Sequence, residues 1–227
     1  MKAAFFDIDG VLTKGFAIQK FWDYLAEQDI INPEFLSLSK QIFDKFRKGQ
    51  ISYREMGKNS MKYIALSFKG ATQKEIKSLS KKFSKSSNID LFSYSAHLVK
   101  LLRDTGLKLI AISGSNIEFV ENYKKLFGFG KVYGTEFEIT GGRYTGLIKF
   151  NLGLSESKRK IIEGVPENVA KFIGFGDTDQ DIPILENVEI PIAINPNKEL
   201  EIMASEKGWT ILKENDKVVE TVRGLIE

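Results

Sequence analysis

The amino-acid sequence predicts an α/β fold with a mainly parallel sheet and helices on both faces of that sheet. Short apolar runs recur along the 227 residues and alternate with segments of helical periodicity, a pattern typical of strands that pair in parallel. Three of these runs stop abruptly on polar residues, the first of them at Asp7 and Asp9. One long helical segment, residues 15–88, separates the first run from all of the others.

The composition is that of an ordinary soluble protein, with 42% apolar and 28% charged residues. There is no cysteine and His97 is the only histidine, so thiolate metal sites are excluded and zinc is disfavoured. A metal would need oxygen ligands, which favours Mg²⁺ or a similar hard cation. No segment approaches the roughly 20 apolar residues of a membrane span, and Asp7 comes too early for a signal-peptide core. We therefore expect a cytoplasmic enzyme that contacts no membrane.

Positive charge is concentrated in the helical segment. Residues 15–88 hold 14 Lys/Arg and 7 Asp/Glu, a net charge of +7, whereas the rest of the chain sums to −4. A basic segment beside an acidic site suits an anionic substrate. The alternative is that the lysine-rich helices are simply solvated.

The first element is a strand over residues 2–8 that ends on two acids. In a strand, residues two apart point to the same side, so Asp7 and Asp9 emerge together at its carboxyl end. Open α/β sheets place their sites at that end of the strands. Two carboxylates that close repel each other unless a proton or a cation lies between them, so the pair indicates a metal site or an acid–base pair.

The segment that follows carries the periodicity of about four helices. One of them is predicted to open at Pro33 and to stop before Gly49. Its predicted apolar face comprises Phe35, Leu38, Ile42, Phe43 and Phe46. A segment of this length cannot be a loop of a compact domain. We therefore predict a helical domain over residues 15–88, inserted into a core of residues 1–14 and 89–227.

The rest of the chain alternates helices with apolar strands. The predicted elements are a helix through His97–Arg103, a strand at Leu107–Ile112, a helix near Ile117–Leu126, a hairpin within 133–149 around Gly141-Gly142, a helix near Lys158–Glu163, and strands at Ala170–Phe175 and Ile190–Ile194. The second strand runs into Ser113, and the strand at 170–175 runs into Asp177, with Asp181 close behind. If these strands are parallel neighbours, their polar ends converge with Asp7 and Asp9 at one edge of the sheet.

Four short motifs therefore follow one another along the chain. They are Asp7-Ile8-Asp9-Gly10-Val11, Ser113 at a strand end, Lys158 at a helix start, and Gly176-Asp177 with Asp181. In this order they resemble the motifs of the haloacid dehalogenase (HAD) superfamily of phosphohydrolases. The helical insert directly after the first motif resembles the cap of its phosphoserine-phosphatase-like branch, subfamily IB. The resemblance extends over the whole chain and implies a Rossmann-like (HAD-like) core with a helical-bundle cap.

The resemblance implies Mg²⁺-dependent hydrolysis of a small phosphomonoester. Asp7 would be the nucleophile and form an aspartyl-phosphate, while Asp9 would serve as general acid and base. Mg²⁺ would be held by Asp7, Asp177 and the main-chain carbonyl of Asp9. Asp181 would support that metal site.

The resemblance also implies a set of groups that bind phosphate. Ser113 and the amide of Gly114 would donate hydrogen bonds to phosphate oxygens. Lys158 would neutralise the charge of the phosphate and of Asp7, with Lys160 as the alternative lysine.

One position departs from the branch. Phosphoserine phosphatases carry a glutamate nine residues after the nucleophile, where it binds the amino group of serine, and this chain has Phe16 there. Phosphoserine is therefore a doubtful substrate. Phe16 and Phe43 are candidates to line the substrate pocket, whereas His97 is expected to be structural.

Three alternatives stay open on the sequence alone. A phosphotransferase or phosphomutase on the same scaffold would pass phosphate to an alcohol, and a phospho-accepting regulatory domain would be phosphorylated without turnover. Nucleic-acid binding is the third, but the aromatic residues of the basic insert recur at core spacing and not as a stacking platform. We expect a small phosphomonoester as the binding partner, no nucleic acid, and a monomer or a homodimer.

Overall fold

The computed structural model describes residues 1–85, 89–214 and 217–227. Its strands are β1 (Lys2–Phe6), β2 (Lys108–Asn116), β3 (Lys131–Thr140), β4 (Arg143–Phe150), β5 (Ala170–Gly176), β6 (Ile190–Ile194) and β7 (Thr210–Leu212). Within the described residues these seven strands form one sheet in the order β4-β3-β2-β1-β5-β6-β7. Neighbours pair in parallel except β3 and β4, which are antiparallel. The predicted mainly parallel sheet is confirmed.

Helices connect the strands. They are α1 (Ala17–Glu27), α2 (Pro33–Arg47), α3 (Tyr53–Ser67), α4 (Gln73–Lys85), α5 (Ser95–Asp104), α6 (Ile117–Phe127), α7 (Ser155–Glu163), α8 (Ile182–Leu185), α9 (Lys198–Lys207) and α10 (Val218–Ile226), with a 3₁₀ turn at Asp179–Asp181 before α8. Across the described ranges, none of these helices has the length and apolar character needed to cross a bilayer.

The sheet is covered on both faces. In β1, Ala4 and Phe6 belong to one apolar cluster, and Ala3 and Phe5 belong to another. The first cluster also contains buried residues of α5, α6 and α10, and the second contains residues of α7 and α8. A strand that is buried on both faces has no polar alternation, which explains why β1 reads as a continuous apolar run.

β1 lies between β2 and β5. Phe6, its last residue, pairs with Ala111 of β2 and with Phe175 of β5. The rings of Phe6 and Phe175 stack with their centroids 4.6 Å apart, which holds the two strands in this register. The three central strands therefore direct the residues that follow them to a single edge of the sheet.

Four helices, α1 to α4, lie between β1 and α5, as the sequence predicts. A capping box starts α3: the Ser52 hydroxyl accepts a hydrogen bond from the N–H of Glu55, whose carboxylate accepts one from the N–H of Ser52. The last of the four helices ends at Lys85, and residue 88, the predicted end of the insert, lies outside the described residues. The division of the chain into two domains stays a prediction.

The predicted apolar face of α2 is wrong at one position. The buried side chains of α2 are Leu36, Ser39 and Phe43, whereas Leu38 is 37% exposed. Leu38 lies two residues from Leu36, or about 200° around the helix, so the face that α2 turns towards α3 leaves Leu38 in solvent.

The predicted hairpin is present as β3 and β4. It turns at Gly141 and Gly142, whose φ angles of 58° and 79° suit the two-residue turn that favours glycine. The hairpin is also hydrogen-bonded to the helical insert. The N–H of Tyr144 donates to the carbonyl of Ala71 at 3.0 Å, and the N–H of Gly70 donates to the carbonyl of Tyr144 at 2.9 Å.

Three elements near the carboxyl end were not predicted: α9, β7 and α10. β7 has only three residues, too few to show an alternating pattern. It is a strand because it pairs with β6, where Thr210 lies opposite Ile192. This pairing is a tertiary contact that the local sequence does not show.

Candidate active site

Three carboxylates meet where β1 and β5 end. Asp7 follows β1, Asp177 follows β5, and Asp181 ends the 3₁₀ turn. Each offers one oxygen atom, and these atoms all lie within 4.8 Å of one another. Asp7 and Asp181 are buried, with 4% and 0% of their surfaces exposed. Like charges this close repel unless a proton or a cation lies among them.

Two glycines allow the acids to come this close. Gly10 has a φ angle of +80°, and a Cβ atom there would lie 1.9 Å from Oδ2 of Asp177. A Cβ atom on Gly176 would lie 2.4 Å from Cβ of Asp181. Neither position accepts a side chain unless the neighbouring carboxylate moves.

Asp181 is held by hydrogen bonds on both of its carboxylate oxygens. Oδ2 accepts hydrogen bonds from the N–H of Thr178 at 3.0 Å, from the hydroxyl of Thr178 at 3.1 Å and from the N–H of Asp177 at 3.2 Å. Oδ1 accepts a hydrogen bond from Nζ of Lys158. Asp181 therefore ties the turn after β5 to the lysine of α7.

Lys158 supplies positive charge to the cluster. It is 2% exposed, and its Nζ lies 3.4 Å from Oδ1 of Asp7. Lys160, the alternative that the sequence left open, is exposed on α7. The structure brings Lys158, and not Lys160, to the carboxylates.

Burial governs the titration of these groups. It raises the pKa of Asp7 to about 7, an effect that Lys158 lowers only in part. Burial and the carboxylates of Asp181 and Asp7 hold the pKa of Asp177 well above its usual range. Burial lowers the pKa of Lys158, but the charges of Asp181 and Asp7 outweigh burial, so the pKa of Lys158 is raised. If all three carboxylates were ionised they would carry more negative charge than the one lysine neutralises, so Asp7 and Asp177 hold their protons more tightly than usual.

Two carboxylate oxygens in the cluster lack hydrogen bonds. Oδ1 of Asp7 and Oδ1 of Asp177 are buried and accept none. Lys158 reaches the first of them only as an ion pair. Unpaired buried carboxylate oxygens are costly, and a cation among them would remove that cost. An all-oxygen set of ligands fits a hard divalent ion such as Mg²⁺.

Asp9 faces away from the cluster and towards the start of α1. Its Oδ1 accepts hydrogen bonds from the Thr13 hydroxyl at 3.1 Å and from the N–H of Ala17 at 3.2 Å. Its Oδ2 accepts one from the Ser115 hydroxyl at 2.8 Å. Burial raises the pKa of Asp9, and these three hydrogen bonds oppose that rise. Asp9 thus has a fixed orientation and an increased tendency to hold a proton.

Ser113 and Gly114 end the apolar part of β2. Ser113 is fully buried, and its Oγ accepts a hydrogen bond from the N–H of Ser115 at 3.1 Å, which leaves its own proton for another acceptor. Gly114 packs against Gly153, where a Cβ atom would lie 3.1 Å from Cα of that residue. The backbone of β2 is therefore close to the same edge of the sheet as the acids.

Residues 4–186 match the family model described as haloacid dehalogenase-like hydrolase. The matched span is more than half of the chain and runs from β1 to α8, so it contains the three carboxylates and Lys158. The chain belongs to the haloacid dehalogenase-like hydrolases. The predicted superfamily, which rested on four short motifs, is confirmed.

Curated relatives of this HAD-like chain include phosphatases. A phosphoserine phosphatase of Archaeoglobus fulgidus is 27% identical over 217 residues, which cover 92% of this chain and 56% of that protein. A histidinol-phosphatase of Neisseria meningitidis serogroup C is 32% identical over 123 residues, 51% of this chain and 55% of that protein. The chain thus spans little more than half the length of these two relatives.

A solved structure shows the same fold at low sequence identity. It is a protein of unknown function from Bordetella pertussis Tohama I, with a TM-score of 0.73 and 20% identity over 94% of this chain and 98% of that chain. Likeness at this level extends to the HAD-like fold and not to a substrate.

A cavity of ≈ 40 Å³ borders Asp7 and Asp9 of this HAD-like core. We call its core side the floor, which consists of Asp7, Asp9, Gly114, Ser115 and Gly153. We call its helical side the roof, which consists of Phe16, Ile18, Trp22, Phe43, Tyr53, Met56, Gly57, Ser60 and Met61. The two aromatic residues proposed from the sequence as pocket lining are therefore both in the roof.

Size alone does not locate the site of this HAD-like protein. A larger cavity of ≈ 560 Å³ lies between α4 and α6, and several lysines of both helices line it. None of the three carboxylates is among the described residues that line it, whereas Asp7 borders the smaller cavity.

Several residues at the site were not predicted from the sequence, among them four that carry hydroxyl groups. Thr13 and Ser115 hold Asp9, and Tyr53 and Ser60 reach the cavity from α3. The sequence did contain an indication for Ser115, since it belongs to the polar residues 113–115 that end the second predicted strand. The sequence contained no such indication for Tyr53 and Ser60, because only the packing of α3 brings them to the cavity that Asp7 and Asp9 border.

Proposed function

We propose that this protein hydrolyses a small phosphomonoester through an aspartyl-phosphate intermediate on Asp7. The observation that supports this most strongly is the buried cluster of three carboxylates, with unpaired oxygens on Asp7 and Asp177 beside Lys158. Such a cluster is stable only with a cation or a proton, and its basic neighbour suits an anion. Membership of a hydrolase family agrees with that chemistry.

The proposed reaction has two displacements. An oxygen of Asp7 attacks phosphorus, the bond from phosphorus to the ester oxygen breaks, and Asp9 gives its proton to the departing alcohol. Water then attacks the phosphorus of the aspartyl-phosphate while Asp9 takes a proton from that water. Inorganic phosphate leaves, and Asp7 returns as a carboxylate. Burial raises the pKa of Asp9, which suits a group that must give a proton first and take one later.

Asp7, Asp177 and the main-chain carbonyl of Asp9 would hold Mg²⁺. Its chemistry would be to neutralise negative charge as the phosphoryl group approaches Asp7. Asp181 would contribute mainly by orientation, since both of its oxygens already accept hydrogen bonds. Lys158 would share in neutralising the phosphate and Asp7.

Ser113 and Gly114 would position the phosphate. Ser113 has a free proton to donate, and the backbone of Gly114 borders the cavity. Donors aimed at the oxygens of the transferred group stabilise the charge that these oxygens carry in the transition state.

The helices above the site would form a cap. We propose a core of residues 1–14 and 89–227 and a cap of residues 15–88, because the roof of the cavity comes from Phe16 and from α1 to α3 while the floor comes from the sheet. Opening and closing of such a cap would admit substrate and then exclude water. A cytoplasmic location and a monomeric or homodimeric state stay predictions.

The test is phosphate release from a panel of phosphomonoesters, with Mg²⁺ and with EDTA. We expect release with Mg²⁺ only, and loss of at least about 10⁴-fold in kcat for Asp7→Asn, since no other group can take up the phosphoryl group. Asp179→Asn is the matched control, because Asp179 lies in the same acidic stretch but outside the triad. Full activity of Asp7→Asn would disprove the proposal.

Product analysis separates the alternatives. A phosphotransferase would release less phosphate when an acceptor alcohol is added, and would form a new phosphate ester. A regulatory domain would incorporate one phosphoryl group from a reactive aryl phosphate and then stop. Continuous release of phosphate to water, unchanged by acceptor, supports hydrolysis.

A further inference from the structure

We propose that the substrate is the phosphate ester of an uncharged, largely apolar alcohol, and that Ser60 binds at most one hydroxyl group of that alcohol. This inference rests on the proposed function and names its substrate class. The observation that carries it is the chemistry of the roof, which holds aromatic and thioether side chains and no charged one.

An aromatic cluster forms much of the roof. The ring of Phe16 lies 5.2 Å from that of Phe43 and 6.2 Å from that of Tyr53, measured between centroids. The ring of Trp22 lies 6.4 Å from that of Phe43. Trp22 and Phe43 are only 1% and 4% exposed, and Phe16 and Tyr53 are partly buried, so this part of the roof is closely packed.

Phe16 is placed where a leaving group must lie. The N–H of the next residue, Ala17, donates a hydrogen bond to Asp9, which fixes the start of α1 against the proposed general acid. Asp9 must reach the ester oxygen to protonate it. The carbon atoms attached to that oxygen would therefore lie near the ring of Phe16, which also borders the cavity.

The polar groups of the roof, on Trp22, Tyr53 and Ser60, are all uncharged, so none of them can neutralise a charged substrate. The indole N–H of Trp22 already donates to Oδ1 of Asn116 at 3.3 Å. Ser60 is 1% exposed, and among the described residues its hydroxyl reaches only the sulfur of Met56 at 3.9 Å, which is a weak acceptor. Ser60 is therefore a buried hydroxyl that a single substrate hydroxyl could satisfy.

One ion pair joins α3, which contributes to the roof, to α7 of the core, and we call this pair the rim. Arg54 of α3 makes two hydrogen bonds of 2.8 Å to Glu156 of α7, one from each terminal nitrogen. Neither residue borders the cavity. A carboxylate or an ammonium group on the substrate would have to break this pair or stay unpaired.

An unpaired charge in such a cavity is strongly unfavourable. An anionic head group would be worst, because Asp7 and Asp9 are the charged side chains among the described residues that border the cavity. The ≈ 40 Å³ of open space also favours a small group. These facts converge on a small alcohol without charge.

The experiment compares isosteric phosphomonoesters that differ in charge alone. Propyl phosphate is paired with phosphoethanolamine, in which an ammonium group replaces the terminal methyl group. Isobutyl phosphate is paired with phosphoglycolate, in which a carboxylate of similar shape replaces the isopropyl group. We expect kcat/KM to be at least about 100-fold higher for the uncharged ester of each pair, and the larger ratio in the second pair.

Variants of the roof identify the residue responsible. Phe16→Glu should reverse the first ratio in favour of phosphoethanolamine by about 100-fold or more, whereas the neutral variant Phe16→Gln should not. Leu38→Glu adds the same charge on the exposed face of α2 and should leave both ratios unchanged. Ser60→Ala should remove any preference for 1,2-propanediol 1-phosphate over propyl phosphate.

The outcomes separate this inference from the proposed function. Hydrolysis of every ester with ratios near one, or a preference for the charged ester in the wild-type protein, would overturn the inference and leave the phosphatase intact. Failure to hydrolyse any ester, including an aryl phosphate, would overturn both. If Phe16→Glu does not fold, the inference is still tested by the kcat/KM ratios of the two ester pairs in the wild-type protein and in the Phe16→Gln variant.

Discussion

The floor and the roof of the cavity are built from different elements and depend on different forces. The floor comes from loops that follow parallel strands, and its buried acids retain unpaired oxygens and raised pKa values. The roof comes from the helical insert, and its aromatic rings pack against one another, with Trp22 and Phe43 buried and Phe16 and Tyr53 partly exposed. The floor is distinguished by carboxylates that Lys158 does not fully neutralise, and the roof is distinguished by the packing of apolar side chains.

This difference divides the expected functions. A cluster of like charges needs a counter-charge from outside the chain, so the floor is suited to bind a cation and an anionic phosphate. A dry apolar surface selects by shape and by absence of charge, so the roof is suited to recognise the alcohol. Changes in the floor should alter the reaction for every substrate, and changes in the roof should alter which substrate reacts.

The largest effect after loss of Asp7 is expected from loss of the buried lysine. Lys158→Met should lower kcat/KM by about 10²–10³-fold for all esters, because one charge that faces the phosphate is lost. It should also lower the free energy of unfolding by roughly 3 kcal/mol at pH 7, since Asp7 and Asp181 lose their buried partner. Enzyme assays and urea unfolding measure both quantities.

Lys160→Met is the matched control on the same helix. Lys160 is exposed, so neither activity nor stability should change beyond experimental error. Equal losses in the two variants would show that the charge of α7, and not the contact with the acids, matters.

Removal of metal should make stability depend on pH. Asp7 has a raised folded-state pKa of about 7 against an ordinary 3.8, so the folded form binds its proton more tightly than the unfolded form. Stability is then fully present below pH 4 and falls as pH rises towards 7, by on the order of a few kcal/mol. Asp177 acts in the same direction.

Urea unfolding in EDTA between pH 4 and pH 8 measures that slope. Added Mg²⁺ should restore stability at pH 7.5, since it would bind the folded form only. Asp7→Asn should flatten the slope in EDTA. A stability that rises from pH 4 to pH 7 in EDTA would contradict the view of the floor as an under-compensated acid cluster.

A smaller effect on stability is expected at Gly10, whose backbone lies against the carboxylate of Asp177. Gly10→Ala should cost about 2–3 kcal/mol of stability and weaken Mg²⁺ binding, because its Cβ atom would displace Asp177. Gly15→Ala shares the positive φ angle but meets no atom within 4 Å, so it should cost about 1 kcal/mol through strain alone. Calorimetric titration with Mg²⁺ distinguishes the two.

The smallest effect is expected at the rim that joins roof and floor. Arg54→Ala removes the ion pair to Glu156, but both side chains are about half exposed, so stability should change by less than about 1 kcal/mol. Ester preference should not change. A shift in preference would show that the rim, and not only the roof, takes part in selection.

The sequence was sufficient for the local features of the floor. Asp7 and Asp9 lie two apart at the end of an apolar run, and a strand has a period of two, so their placement at the strand end needed no tertiary information. The convergence with Ser113 and Asp177 followed from parallel pairing, which the alternation of helices and strands predicted.

Features that depend on helix phase or on distant packing were not predictable in the same way. The sequence favours Lys158 but leaves Lys160 as an alternative, and only the orientation of α7 shows that the first is buried and the second exposed. Leu38 is part of the predicted apolar face of α2 but is exposed in the structure. Periodicity predicts a stripe of apolar residues along a helix but does not show which side of that helix packs against its neighbour. β7 became visible only through its pairing with β6.

The sequence by itself determined the family, the α/β fold and the charged end of the first strand, because these depend on periodicity and on residues adjacent in the chain. The tertiary structure alone decided how the acids share Lys158, which hydroxyls hold Asp9, and that Phe16, Phe43 and Ser60 face the same cavity. Those contacts join elements far apart in the chain, and their distances are set by how helices and strands pack and not by local propensity.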